Sequence, residues 1–405
     1  MLITLFIALG LGLVLASYLL LIRAQYVSAV RSQAWHSALT MAEAGVEEAL
    51  AQLNSGRFTG AVPEGNGWNL ADGIYQLPEP RRWLEGEYAA AYTQAGPPTI
   101  YATGYAAVPT LSATIERVLE VRTTVAPLFS LGAAVRGTIS MSGKDLVTDS
   151  FDSTSLYASG PGGVYDPKKA GMNGDVASGS GISDFDKVNI KGRLFLSAAN
   201  TNSFPLQTVV IRDFNADFIQ VRPPFELPDR ALQSGSVGST NYTYYLLEYN
   251  YLTNSLIGSV YVADNMNAVL YVTGNATITS LVVAPGASLK LYVGGANTIL
   301  GPVFNSGTAR NFQYYGLPGN TNITMIGYDR LTGTIYAPNA RFRAGEKLSG
   351  DTYSDFGLYG AIVVNSIDMR SDLKLHFDES LKNAAASGGP VRGFVVSAWQ
   401  ELPPP

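Results

Sequence analysis

The chain opens on an unbroken apolar run, MLITLFIALGLGLVLASYLLLI at residues 1–22, with no charged position in it. As a helix this stretch is about 33 Å long, enough to cross a bilayer. The pattern then changes without a break. Val27, Val30, Ala34, Ala38, Met41, Gly45, Ala49 and Leu53 recur at steps of three and four, while Arg23, Gln25, Arg31, Glu43, Glu47, Glu48 and Gln52 take the other faces, and no proline comes before Pro63. One helix over residues 1–54 is predicted, about 80 Å long, apolar all round in its first half and amphipathic in its second, with Asn54-Ser55-Gly56 as the stop signal.

Residues 55–126 alternate instead. Strands are predicted at 74–77, 87–94, 99–108 and 113–125, forming a small antiparallel sheet against Ala38 to Leu53. In the last of them Ile115, Val118 and Val121 fall on mixed parity, which predicts a bulge or irregular pairing. Pro127 marks a boundary.

Residues 127–383 are a succession of short apolar runs divided by Gly, Asn, Asp and Ser, among them VLYV at 269–272, LKLYV at 289–293, TGTIYAP at 332–338, YGAIVV at 359–364 and LKLHF at 373–377. Short strands with tight corners predict a large right-handed parallel β-helix, each coil stacked on the one before. A jelly roll or sandwich is the alternative. Val282, Leu289, Leu291, Ile335, Ile362, Val364, Ile367 and Leu375 are the expected inward residues. Residues 384–405 read as a linker, a last strand returning to the small sheet or reaching a neighbouring subunit, and a proline-rich tail. The fold class is therefore mainly β with one long N-terminal α-helix.

Composition narrows the class. With 42 Gly, 21 Pro and 23 Tyr the chain has the make-up of an all-β secreted protein. It has no cysteine, which excludes thiol nucleophiles, Cys-bound zinc and disulfides. A net charge of -5 without a basic cluster argues against a nucleic-acid partner. The first basic residues, Arg23 and Arg31, follow the apolar run, and a positive-inside orientation would leave everything downstream in the cytoplasm. That conflict disappears if a short basic leader preceded Met1 and was removed, so that the numbering is that of the mature chain.

The helix, and in particular AEAGVEEALAQLN at 42–54, resembles the type IV pilin family. The resemblance covers the helix and the small sheet. It implies leader removal, a methylated N-terminus at Met1, an inner-membrane stage, and packing of the apolar helices of identical or related subunits into an extracellular filament. The implied assembly positions are Met1, Leu5, Ala8, Gly10, Gly12, Ala16, Val27, Val30, Ala34, Ala38 and Met41. Gly10 and Gly12 match helix-weak positions, and small residues favour close helix contacts. Most major pilins have Glu at the fifth mature position; Leu5 here favours a minor or tip subunit or an adhesin. The motifs ISMSGKDLVTDSFDSTS, GPGGVYDPKKAGMNGDVASGSG and YGAIVVNSIDMRSDLKLHFDESL resemble a bacterial domain of unassigned role found behind pilin-like helices, which implies a β-helical fold and no activity.

Chemistry is sparse. The two histidines, His36 and His376, have no metal-ligand spacing and read as structural, and nothing marks a nucleophile elbow. No catalytic or cofactor-binding residue is expected. Asp166, Asn173, Asp175, Asp184 and Asp186 are oxygen-rich enough to be calcium candidates but lack an EF-hand loop, and Asx turns at corners explain them equally well. Asn241, Asn275 and Asn322 match the N-glycosylation pattern. Tyr242, Tyr244, Tyr245, Tyr249 and Tyr251 suit cross-strand packing, a subunit contact or a platform for a surface glycan. The rival of another class is a membrane-anchored polysaccharide-binding protein or lyase, for which Glu226, Asp229, Asp355 and Asp378 would have to cluster on one face.

Overall fold

The computed structural model describes residues 2–59, 67–83, 86–94, 96–109, 111–200, 204, 208–383 and 393–403. The chain forms two compact units, residues 1–126 with 393–405 and residues 127–392. The architecture is mainly β, with one long N-terminal helix, an antiparallel sheet and a large parallel sheet.

In the first unit a single helix, α1 (Leu2–Thr59), is about 87 Å long. It passes the stop expected at residue 54. Asn54 is not available as a helix terminator: its Oδ1 accepts the Phe394 N–H at 2.8 Å and its Nδ2 donates to the Phe394 carbonyl at 3.1 Å. The Ser55 hydroxyl bonds back to the Gln52 carbonyl at 2.8 Å, which leaves the helical backbone intact.

Six strands follow, β1 (Asn69–Ala71), β2 (Ile74–Gln76), β3 (Arg81–Trp83), β4 (Gly86–Thr93), β5 (Thr99–Val108) and β6 (Ala113–Val125). With a last strand, Phe394–Leu402, they make a seven-stranded antiparallel sheet in the order β1-β2-β4-β5-β6-last, β3 pairing with β4. The last strand therefore returns to the small sheet, while the expected linker at 384–390 lies outside the described residues, as do Pro404 and Pro405. The pairing of β5 with β6 runs without a shift from Thr99↔Arg122 to Val108↔Ala113, so the bulge expected from mixed parity is not there. Arg117, Leu119, Val121 and Thr123 share the buried face of β6 and Val118 lies on the other. The irregularity sits on the far side of β6, between Val396 and Ala398 of the last strand.

The second half of α1 lies on this sheet through small residues. Ala42, Val46 and Ala49 pack with Ile100, Ala102, Leu119 and Val121, and Val30, Ala34 and Ala38 with Ala106 and Val108. Contact is closest at Gly104, where a Cβ would fall 2.0 Å from the Ala38 carbonyl oxygen and 2.4 Å from the Ala42 nitrogen. A clamp holds the flank. Arg117, 4% exposed, lies 3.5 Å over the centroid of the Trp35 ring and pairs in a fork with Glu401 of the last strand, its Nε donating to Oε1 at 2.5 Å. This joins helix, β6 and last strand through one guanidinium.

The Arg117 hydrogen bond, with its charge, holds Glu401 below its ordinary value of 4.5. A carboxyl whose native value is depressed stabilises above its unfolded value and loses that contribution as pH falls through the native one. Glu401→Gln is therefore expected to lower the melting temperature by about 2 °C at neutral pH. The gap to the parent should close below about pH 4, as paired melting curves across pH will read.

Among the described residues of the second unit, all strands but the antiparallel pair Gly235–Val237 and Thr240–Tyr242 form a 19-stranded sheet, nearly every one pairing in parallel with a strand one or two further on. Like residues stack in rows. Leu270 faces Leu291, Leu291 faces Tyr314, Tyr314 faces Ile335 and Ile335 faces Ile362, all buried in one core. Of the expected inward residues, Leu289, Leu291, Ile335, Ile362, Val364, Ile367 and Leu375 belong to it. Val282 does not: alternation turns Leu281 and Val283 inward and leaves Val282 half-buried. The fully buried Tyr314 hydroxyl is satisfied by Thr298 at 2.7 Å and Asn320 at 2.9 Å, and burial raises its pKa.

The order of the stack differs from the order of the chain. Strand Asp355–Met369 pairs onward with Ala133–Val135, and Asp372–Asp378 with Thr138–Phe151. The chain thus enters and leaves this unit in the middle of the stack. From there Val176–Ser178, Gly181–Ile190, Arg193–Leu196 and Val209–Ile211 carry the rows outward. A connection through Phe214, Phe218 and Val221 then covers a second apolar face before the chain resumes at Tyr244–Leu246. Under it lies a tyrosine ladder, Tyr271, Tyr292, Tyr315 and Tyr336, paired in register, with Tyr336 donating to the Ile219 carbonyl at 2.9 Å.

Candidate assembly surface

The leading half of α1 is apolar and uncovered. Among the described side chains, the large ones from Ile3 to Ile22 are between 42% and 77% exposed, and Val30 is the first buried one along the helix. It is long and apolar enough to cross a membrane. Burying that surface is favourable at about 25 cal/mol per Å², so water is its least favourable surrounding.

The assembly positions fall into two groups. Gly10, Gly12 and Ala16 are exposed, with open space where a Cβ would stand on either glycine. Leu5 and Ala8 lie on the helical backbone in the same stretch, Val27 is half-buried, and Met1 lies outside the described residues. Val30, Ala34, Ala38 and Met41 are different. They are buried in the first unit's own core, and this corrects their assignment to contacts between subunits: the small sheet takes up the amphipathic stripe. The remaining polar flank is tied down locally, with Glu48 paired to Arg81 at 2.9 Å and accepting the Tyr88 hydroxyl at 2.7 Å. Burial first, then that bond, pushes Tyr88 up to about 12.

The five calcium candidates are not brought together. Asp175 forms a fork with Arg193 and accepts its N–H at 2.7 Å, and Asp166 closes an Asx turn on the Lys168 N–H at 3.0 Å. Asn173 donates to Glu379 at 2.9 Å, Asp186 lies 3.8 Å from Lys187, and Asp184 sits at a register shift with φ +53°. Among the described residues no three of His, Asp and Glu are grouped so as to hold a metal. The carboxylates required by the lyase reading are spread as well, Asp355 pairing with Lys374, Asp229 accepting the Asn250 N–H at 3.1 Å, and Asp378 buried between the Ser153 and Ser380 N–H groups. Asn241, Asn275 and Asn322 are exposed, and each amide bonds a neighbour: Ser236, the Asn297 N–H and the Asn297 side chain.

His36 is exposed beside Trp35, and His376 is buried. His376 stands opposite Asp149 in the parallel register, with Nδ1 2.6 Å from Asp149 Oδ1, while the Tyr165 hydroxyl donates to Asp149 Oδ2 at 2.7 Å. The imidazole packs against both the Tyr165 and Tyr359 rings, 3.9 and 4.7 Å from their centroids, and those two rings also touch each other, 5.6 Å apart. Local spacing carried no sign of this cluster, nor of the Arg117–Glu401 clamp, since each joins residues more than two hundred positions apart. The tyrosines of 242–251 mostly pack inside their own unit, Tyr242 and Tyr245 against Tyr261 at 4.9 and 5.5 Å.

Residues 232–384 match the model of a family described as a domain of unknown function, DUF7305. None of the curated proteins matches the sequence. Among solved structures the chain is similar to the competence-associated pilin ComZ from Thermus thermophilus. The identity is 11%, over 91% of this chain and 97% of that one, with a TM-score of 0.26. At that TM-score the folds are not equivalent enough to transfer anything from one to the other.

Proposed function

We propose that the chain is a structural subunit of an extracellular, type IV pilus-like filament that polymerises through α1. The observation that carries this is the division of one continuous helix: its second half is docked on its own sheet and its first half meets no other part of the chain. Leaving the bilayer, such a helix must exchange lipid for other helices, and Gly10, Gly12 and Ala16 allow backbones to approach closely. The polypeptide passes through the inner membrane first and is exposed on the cell surface afterwards. Residues 127–383 form a solenoid whose parallel rows close into right-handed coils, supported by register-matched stacks such as Leu270, Leu291, Tyr314 and Ile335. The role is non-catalytic, in keeping with carboxylates that pair with local partners. Leu5, in place of the Glu of major pilins, favours a minor or tip position as the second reading.

Electron microscopy of material sheared from the producing cells tests this. Fibres composed of this chain establish the major-subunit form, and its presence at fibre ends alone establishes the tip form. A molecule that stays in the membrane fraction and joins no fibre overturns both.

A further inference from the structure

One face of the parallel-sheet unit carries a groove of about 520 Å³, inside the range of roughly 300–1,000 Å³ typical of small-molecule sites. Its walls are rich in rings. Phe304 and Tyr328 stand 5.2 Å apart on one side, Phe304 46% exposed, and Phe151, Tyr165 and Tyr359 form the other. The second wall is fixed in place: Asp149 holds the Tyr165 hydroxyl at 2.7 Å, His376 packs against both Tyr165 and Tyr359, and Phe151 meets Tyr165 edge-on at 5.6 Å. The lining also includes residues 305–308 and Thr332, where the Asn305 amide, the Gly307 N–H and the Thr308 N–H and hydroxyl are held by internal hydrogen bonds and the Ser306 and Thr332 side chains add hydroxyl groups.

The charge is one-sided. Arg330 is the one charged residue among the described lining residues, and no carboxylate joins it there; its neighbour Asp329 is 3.7 Å away, outside the lining. Rings in the lining favour a flat ligand with apolar C–H faces, the hydroxyl-bearing Ser306 and Thr332 beside them favour a polyhydroxylated rim, and a half-exposed guanidinium whose ion pair with Asp329 is long at 3.7 Å favours a closer carboxylate. Together these describe an acidic sugar.

We propose that this groove binds an anionic oligosaccharide of the uronate class, its pyranose faces on Phe304 and Tyr328 and its carboxylate on Arg330. No bond is made or broken.

The test is calorimetric titration of the full chain in detergent with trigalacturonate, using maltotriose as the neutral comparison. Saturable binding of trigalacturonate is expected, weakened about tenfold by Arg330→Gln and abolished by the double change Phe304→Ala with Tyr328→Ala, with maltotriose at least about tenfold weaker throughout. Both sites of change are at the surface of the groove, and unchanged unfolding midpoints confirm folding. The proposal is overturned by an absence of saturable heat, by equal affinity for the two sugars, or by affinities that ignore both variants. Self-association that is lost in Phe304→Ala while uronate fails to bind also overturns it, in favour of a second copy as occupant.

Discussion

Gly104→Ala is expected to destabilise the first unit by about 3 kcal/mol, the upper range for overpacking a core. The added methyl would have the Ala38 carbonyl oxygen at 2.0 Å, the Ala42 nitrogen at 2.4 Å and the Met41 Cβ at 2.9 Å, so it meets helix backbone that cannot rotate aside. Relief requires lifting α1 from β5 and opening the alanine seat on either side. The readout is selective, because all four tryptophans, Trp35, Trp68, Trp83 and Trp399, belong to this unit. Denaturant unfolding followed by tryptophan fluorescence should show the midpoint fall, with little change in slope. Gly12→Ala is the control: the same methyl enters open space and should leave the midpoint where it was. Equal midpoints for Gly104→Ala and the parent would mean that helix and sheet do not pack as described.

Leu15→Arg is expected to abolish filaments while leaving the folded body untouched. A cation near the centre of a membrane-spanning helix costs about 2.5–3.5 kcal/mol on insertion, and in a bundle of apolar helices it has no partner. Leu15 is 62% exposed and touches nothing in its own subunit's core, so the tryptophan transition should shift by no more than about 0.5 kcal/mol. Cells making this variant should yield no fibres in sheared fractions while retaining folded, detergent-extractable protein. Normal fibres would show that the leading half of α1 is not the polymerising surface.

Much of this architecture was legible in the chain because local periodicity and tertiary burial agree. Strand β5 alternates strictly from Thr99 to Val108, and the rows around Leu289 to Leu291 alternate in the same way. What escaped has a common cause, in that the deciding partner lies far along the sequence. Asn54 looks like a helix stop until Phe394 occupies its amide, and Val282 sits amid an apolar run in which only register selects the inward pair. Val30 and Ala34 look free to meet a neighbour until the sheet that covers them is in place. In the acid–aromatic cluster, His376, Asp149 and Tyr165 carry no motif, because cross-strand register, rather than spacing, sets them side by side. The tyrosine ladder likewise emerges only when Tyr271, Tyr292, Tyr315 and Tyr336 are read down the stack instead of along it.

Because strands 133–151 dock against strands 355–378, and β6 against residues 394–402, neither unit is complete until its C-terminal part has emerged. A nascent or partly exported polypeptide therefore holds open sheet edges for nearly its whole length, and such long-range pairing is slow to form and prone to wrong partners meanwhile. Losing residues 394–402 would leave β6 with an open edge, so the small sheet is closed only by a strand made long after the rest of it.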